Sequence, residues 1–322
     1  MRFTERLSSK TIFLAPMAGV TDAAYRMVAR SHGADLAYTE MVSVAGIHYR
    51  SEKTWELVMP HADEPDIAVQ LFGSSPDQFE EAAAQVAERV GEKLACIDIN
   101  MACPVPKVIR KGEGSALMDD PVRAAQIVRA VRRGVGDTVD VTVKIRRGHT
   151  AKHELAPAFA QVIEDAGAAA IAVHGRFASQ LYRGAADWSC VERVADAVDI
   201  PVIGSGDLLD AATVARVLTE GRVPAVMVAR GSYGNPWIFE DAKALLGGRA
   251  ATEHDAGERL DVLEEHIELL VATGAHLARA RSLFGWYMRG LPHAAELRAR
   301  GMACTTLEDY LSLIANARQR FS

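Results

Sequence analysis

The sequence predicts an α/β protein, a (β/α)8 (TIM) barrel followed by a small all-helical C-terminal domain. Three observations predict it. Eight short apolar or β-branched runs recur roughly every 30 residues, the length of one βα unit. The segments between them carry helical spacing with recognisable starts. After the eighth run the pattern is helical only.

In order, the runs are Ile12–Ala15, Leu36–Thr39, Ile67–Gln70, Cys96–Ile99, Val141–Lys144, Ala170–Val173, Pro201–Ile203 and Ala225–Val228. Ser75-Pro76, Asp120-Pro121 and Asp210 each open an amphipathic stretch, as expected of cap residues, two of them with proline at the first helical position. An open doubly wound sheet is the competing topology, but no GxGxxG follows the first run and eight units fit closure. The stretches "LDVLEEHIELLVATG", "LARARSLFGWYMRG" and "TTLEDYLSLIANARQRF" form the helical part, which divides the chain into residues 1–245 and 246–322.

With 322 residues, 49% hydrophobic and 24% charged, the chain can bury one large core beside a smaller unit. A net charge of -6 argues against a surface that binds nucleic acid everywhere, and leaves a local basic stripe open. Such a stripe is expected beyond Leu270, where seven arginines face three carboxylates, although a solvated face would read the same way. The N-terminus has no apolar segment behind its charges, and no run approaches the roughly 20 residues of a membrane span, so a cytoplasmic protein without membrane contact is expected. Cys96, Cys103, Cys190 and Cys304 form no CxxC pair, so neither a metal site nor a disulfide framework is suggested. The sequence does not set the oligomeric state; a monomer is the expectation.

A barrel builds its active site at the C-terminal ends of its strands. Those ends read Ala15-Pro16-Met17-Ala18, Glu40-Met41, Gln70, Asn100 with Cys103 beyond, Lys144 and Arg146, His174-Gly175-Arg176, Ser205-Gly206-Asp207 and Ala229-Arg230-Gly231-Ser232. Singly, each has a structural explanation; a ring of amide, amine and imidazole groups at matching positions points to a site. The small loops at Ser205–Asp207 and Arg230–Ser232 suit a phosphate. Lys144 and Gln70 suit a flat heterocycle with imide edges, but equally a sugar phosphate or a Schiff-base lysine.

Seven stretches carry a family resemblance: "LAPMAGVTDAAYR" at 14–26, "VQLFGSSP" at 69–76, "DINMACP" at 98–104, "KVIRKGEGSALM" at 107–118, "VKIRRG" at 143–148, "VHGRF" at 173–177 and "GNPWIF" at 234–239. Together they resemble the tRNA-dihydrouridine synthases, most of all the bacterial DusB branch. The resemblance implies an FMN-binding barrel and a helical tRNA-binding domain. Pro16, Met17 and Ala18 would back the flavin ring, Gln70 and Lys144 its polar edge, and His174 its ribityl or phosphate end. Ser205, Gly206, Asp207, Ala229 and Arg230 match the phosphate loops. Asn100 and Arg176 match positions facing the substrate uridine, and Cys103 matches the general acid.

The implied reaction reduces the uracil C5=C6 bond of uridines in the tRNA D loop. NADPH (or NADH) reduces FMN, hydride goes to C6, and Cys103 protonates C5. An ordinary cysteine has a pKa of about 8.5 and is mostly S–H at neutral pH, which suits an acid. The loop from Asn100 to Asp120 is long for a βα connection, about 20 residues, and long loops tend to be functional. Its Lys107, Arg110 and Lys111 would meet RNA phosphates beside an extruded base, or form a merely solvated run. This chain has Ala102, Ser205 and Ala229 where relatives commonly have Gly, Asn and Gly, and Arg281-Ser282-Leu283 where they often show Arg-Lys-His. The alternative is an FMN-dependent reductase or dehydrogenase of a free pyrimidine, of the dihydroorotate or dihydropyrimidine type.

Overall fold

The eight runs form eight parallel strands closed into one barrel in sequence order. They are β1 (Thr11–Leu14), β2 (Leu36–Ser43), β3 (Ile67–Phe72), β4 (Leu94–Met101), β5 (Asp140–Arg146), β6 (Ala170–His174), β7 (Val202–Ser205) and β8 (Ala225–Val228). The computed structural model describes residues 2–8, 10–151 and 153–321. Closure is made by β1 on β8, from Thr11 opposite Ala225 to Leu14 opposite Val228. Helices start at Pro76, Pro121 and Ala211, one residue after the expected caps, and the Asp120 and Asp210 carboxylates accept the Arg123 and Thr213 N–H groups. β2 continues through Glu40 to Ser43 and β4 through Asn100 to Met101, past their apolar cores. Two short helices, Val44–His48 and Glu52–Val58, follow β2; they are too short to show a helical period in sequence.

The period-2 alternation of a strand sorts the side chains into two cores. Phe13, Tyr38, Ala68, Cys96, Ala172, Ile203 and Met227 point inward, and Phe3 and Leu7 pack into the same interior cluster. Their neighbours Ile12, Ala37, Val69, Ile97, Val173, Val202 and Val228 point outward against the helices. Further along the same inward face, at steps of two, come Ala15, Gln70, Asp98, Asn100, Thr142, Lys144, His174, Ser205 and Ala229, while an irregularity in β2 between Tyr38 and Met41 brings Met41 opposite Gln70. One geometric rule thus carries the polar residues of β3 to β7 to one end of the barrel interior.

The C-terminal segment is helical, with helices Ala256–Ala272, Ala280–Tyr287, Ala294–Ala303 and Leu307–Phe321. Its apolar residues, among them Leu263, Phe284 and Ile314, belong to the same continuous core as the barrel's outer layer. Trp286 stacks on Tyr233 at 4.1 Å and meets Tyr25 edge-on at 6.3 Å. Gly234, at φ +62°, passes so close beneath Trp286 that a Cβ would lie 2.5 Å from its carbonyl carbon.

The arginines here are mostly paired. Arg279 reaches back to Asp22 at 3.0 Å and Glu40 at 2.7 Å, Arg318 pairs with Asp261 and Glu264, and Arg300 and Arg320 both meet Glu296. The expected positive excess is therefore largely neutralised, partly by carboxylates that precede Leu270 in sequence. Arg289 and Arg298 are exposed, and neither has a side-chain partner among the described residues.

A buried ion pair ties the first barrel helix to the connection before β3. Arg26 donates to both Glu64 oxygens at 2.7 and 2.8 Å, and the side chains are only 3% and 1% exposed. Breaking such a pair leaves a desolvated charge behind, which costs about 3–5 kcal/mol. Glu64→Leu is therefore expected to lower unfolding free energy by about that amount, read by urea titration.

Candidate active site

The polar strand ends surround a cavity of about 360 Å3 at the C-terminal mouth of the barrel. Pro16, Met17 and Ala18 form one wall, and Asn100, Ala102, Cys103 and Pro104 approach from β4. Lys144, His174, Ser205, Gly206, Asp207, Ala229 and Arg230 also line it. Five expected residues do not. Gln70 is completely buried beneath the cavity, and Lys107, Arg110 and Lys111 are exposed on and beside the turn Pro106–Ile109. Arg176 is also buried away from the space, where it donates to Asp207 at 2.7 Å and to the carbonyls of Arg183 and Gly184.

The cavity is positively charged. Lys144, Arg146 and Arg230 line it against one carboxylate, Asp207, which is already engaged by Arg176, the Ala186 N–H and Arg230. Lys144 is 8% exposed and makes no hydrogen bond or ion pair among the described residues. Burial, helped by Arg146, pulls its ammonium down to about 8 against the opposing charge of Asp98. Burial and the surrounding Lys144, Arg146, Arg176 and Arg230 charges hold the His174 imidazole well below its ordinary range, so it is neutral. At the rim, the Arg230 guanidinium lies 4.5 Å over the ring of Tyr182.

Cys103 is held by its backbone. Asn100 Oδ1 accepts the N–H groups of Ala102 and Cys103 at 3.1 and 2.9 Å, and the Cys103 carbonyl accepts from Ser115 at 3.1 Å. Arg146 Nε donates to the Ala102 carbonyl at 2.9 Å, and its other arm reaches the Phe177 and Leu181 carbonyls. Asn100 therefore serves here to shape the turn that carries the cysteine. Burial pushes the Cys103 thiol up, more than the Val105 N–H and the charges of Arg146 and Lys107 pull it down. The site thus combines an anion-favouring cavity with a protonated thiol at its edge.

Residues 13–321 match the family described as dihydrouridine synthase (Dus). The chain belongs to the dihydrouridine synthase family. Its members are flavin-dependent oxidoreductases. The chain is 40% identical over 309 residues to the tRNA-dihydrouridine synthase B of Xanthomonas campestris pv. campestris, covering 94% of this chain and 91% of that one. It is 34% identical to that of Pasteurella multocida, over 99% and 98% of the two chains. Among solved structures, an old yellow enzyme homologue from Zymomonas mobilis superposes with a TM-score of 0.54 at 14% identity, over 77% of this chain and 91% of that one. Histamine dehydrogenase from Rhizobium sp. 4-9 gives 0.54 at 13%, over 80% and 48%. At such identities the likeness is one of fold.

In this dihydrouridine synthase relative, the return of the long loop is packed against the cysteine. Gly114 sits at φ +62°, where a Cβ would lie 2.9 Å from the Cys103 carbonyl oxygen and 3.0 Å from its Cβ. Gly114→Ala therefore has to shift the cysteine or the loop. A displacement near 1 Å at a reacting group lowers rate by about 100-fold. Turnover is expected to fall on that scale with the circular dichroism spectrum unchanged.

Reasoning from the strand ends did not single out Asp98, Thr142, Tyr182 or Tyr233 as site residues. The first two were detectable, since they share the inward face of Gln70, Asn100 and Lys144 at a spacing of two. Tyr182 and Tyr233 come from loops, where no period marks them.

Proposed function

We propose that the chain is a tRNA-dihydrouridine synthase that reduces the C5=C6 bond of D-loop uridines in tRNA. NADPH is the reductant, FMN the cofactor and Cys103 the proton donor. The observation that carries this reading is the pairing, across one cavity, of an unpartnered buried ammonium at Lys144 with a thiol that keeps its proton at Cys103.

The cavity fits a flavin phosphate on its own chemistry. Three cations against one engaged carboxylate favour an anionic ligand. Gly206, at φ +122°, leaves the wall open where a Cβ would sit 2.9 Å from His174 Cδ2. Pro16, Met17 and Ala18 would back the ring, Lys144 would meet its polar edge, and Arg230 with the Ser205–Asp207 and Ala229 loops would take the phosphate. FMN, when bound and reduced, supplies hydride to C6 of the base. Cys103 gives its proton to C5 from the opposite side, and its backbone bonds to Asn100 and Ser115 fix where that proton is presented. Neutral His174 neither adds charge nor competes as an acid.

A stacked base cannot expose C5 and C6, so the uridine must be extruded from the RNA. Exposed Lys107, Arg110 and Lys111 lie beside the Cys103 loop, where they would hold flanking phosphates, and Arg176 braces the loop opposite. Residues 246–322 would add to the RNA grip, with Arg289 and Arg298 as its free cations. No helix among the described residues is long and apolar enough to cross a membrane. A tRNA substrate would be met in the cytoplasm.

The test offers the purified protein FMN, NADPH and either an unmodified tRNA transcript or free uracil and orotate. Dihydrouridine in the transcript is the expected product. Turnover of a free pyrimidine with none in the tRNA would instead select the alternative.

A further inference from the structure

Beneath the cavity, one row of inward-facing residues crosses three strands: Gln70 on β3 is in register with Asp98 on β4, and Asp98 with Thr142 on β5. These side chains are completely buried and joined by short hydrogen bonds. Thr142 Oγ1 donates to Asp98 Oδ1 at 2.6 Å, and Gln70 Nε2 donates to Asp98 Oδ2 at 2.6 Å. Gln70 Oε1 then accepts from Asn100 Nδ2 at 2.7 Å. Asn100 Oδ1 accepts the Cys103 N–H at 2.9 Å, which completes an unbroken chain from the barrel interior to the cysteine.

The chain has a direction. Backbone N–H groups at its upper end only donate, so Asn100 must turn its oxygen toward them and its nitrogen toward Gln70. Gln70 must then offer its oxygen upward and its nitrogen downward, which requires an acceptor below. An ionised carboxylate only accepts, and it forms the stronger, charge-assisted bonds. Reversing either amide would set two donors or two acceptors face to face in a water-free interior, at about 1–3 kcal/mol for each unsatisfied group.

We propose that Asp98 is a positioning residue for Cys103, its acceptor-only carboxylate fixing the direction of the Gln70–Asn100 amide chain that holds the cysteine's backbone. The proposal deepens the reading of Cys103 as proton donor and rests on it for its effect on turnover. Its effect on the loop is independent of that reading.

The ionisation state of Asp98 falls in a measurable range. Burial pushes its carboxyl up to about 6 against the bonds from Gln70 and Thr142 and the charge of Lys144 on β5. Tyr38 on β2 and Cys96 on β4 also face it, and burial keeps both neutral. Protonating Asp98 leaves one oxygen to accept from Gln70 while the new O–H can turn to Thr142 Oγ1, so the chain keeps its direction and loses only the charge assistance of its bonds.

The test compares Asp98→Leu, which removes the acceptor under Gln70, with Thr142→Val, which removes a bond to the same carboxylate but keeps that acceptor. Asp98→Asn is the conservative rescue, since its amide oxygen can accept from Gln70 while its nitrogen donates to the Thr142 hydroxyl. In flavin-free protein, alkylation of Cys103 by iodoacetamide, followed by peptide mass spectrometry, is expected to be several-fold faster in Asp98→Leu. It should stay within about two-fold of wild type in Thr142→Val and Asp98→Asn. With FMN, NADPH and tRNA, Asp98→Leu should lose roughly 10-fold in kcat and keep its KM for tRNA, as expected when about 1.4 kcal/mol of positioning is lost. Equal alkylation rates in wild type and Asp98→Leu overturn the proposal, as does equal acceleration in Asp98→Leu and Thr142→Val, which would mean general loosening. Faster alkylation in Asp98→Leu alone, with no dihydrouridine made even by wild type, supports the positioning and rejects the proposed reaction.

Discussion

Replacing Cys103 by alanine is expected to lower tRNA uridine reduction by about 10²–10⁴-fold, the usual contribution of a positioned acid, while NADPH oxidation by the flavin-loaded protein continues. On the proposed mechanism the two half-reactions separate, because the thiol is needed only when the ring carbon takes a proton. The fold should not respond, since the side chain is small and the loop is held by backbone bonds from Asn100 and Ser115. The pH profile carries a second signature. Burial raises the thiol above its ordinary value, so it remains protonated through neutrality, and activity falls only as pH rises past that raised value. Cys190 offers no substitute, being completely buried on the helix Trp188–Ala197 outside the barrel.

Lys144→Met is expected to weaken flavin binding by about 10- to 150-fold, the equivalent of losing one charged hydrogen bond worth 1.5–3 kcal/mol. The same change should stabilise the flavin-free protein. The ammonium is pulled from 10.5 to about 8 by burial, so at neutral pH the folded state carries a charge that the unfolded chain holds more comfortably. At about 1.4 kcal/mol per pH unit the penalty is up to about 3 kcal/mol below pH 8. It shrinks between pH 8 and 10.5, and above that the lysine is neutral in both states. Equilibrium dialysis with FMN and thermal melts of flavin-free protein at pH 7 and 11 read both effects. A stability cost of this kind, removed only by a ligand, is typical of residues kept for binding.

The barrel was legible because its strands are buried on both faces and read as apolar runs, and because Ser75, Asp120 and Asp210 announce the helices that follow. The ring of strand-end residues was legible from the rule that barrel loops converge on one rim. Depth was not. A list of strand ends does not separate Lys144, which lines the cavity, from Gln70, which lies beneath it and reaches it through Asn100. Arg176 looked like a group facing the ligand, yet Asp207 and two carbonyls turn it into a brace, a pairing between loops that no local pattern encodes. Charge counting in the C-terminal helices likewise carries no sign of pairing: Arg279 finds Asp22 and Glu40 more than 200 residues away in sequence.

The most direct test is a single turnover. Protein loaded with FMN is reduced with one equivalent of NADPH under anaerobic conditions and mixed with unmodified tRNA transcript, and flavin absorbance and nucleoside mass are followed together. Recovery of the oxidised flavin spectrum in step with one dihydrouridine per flavin, in wild type and not in Cys103→Ala, is the expected result. Flavin reoxidation without dihydrouridine in the tRNA, or an unchanged yield in Cys103→Ala, would contradict it.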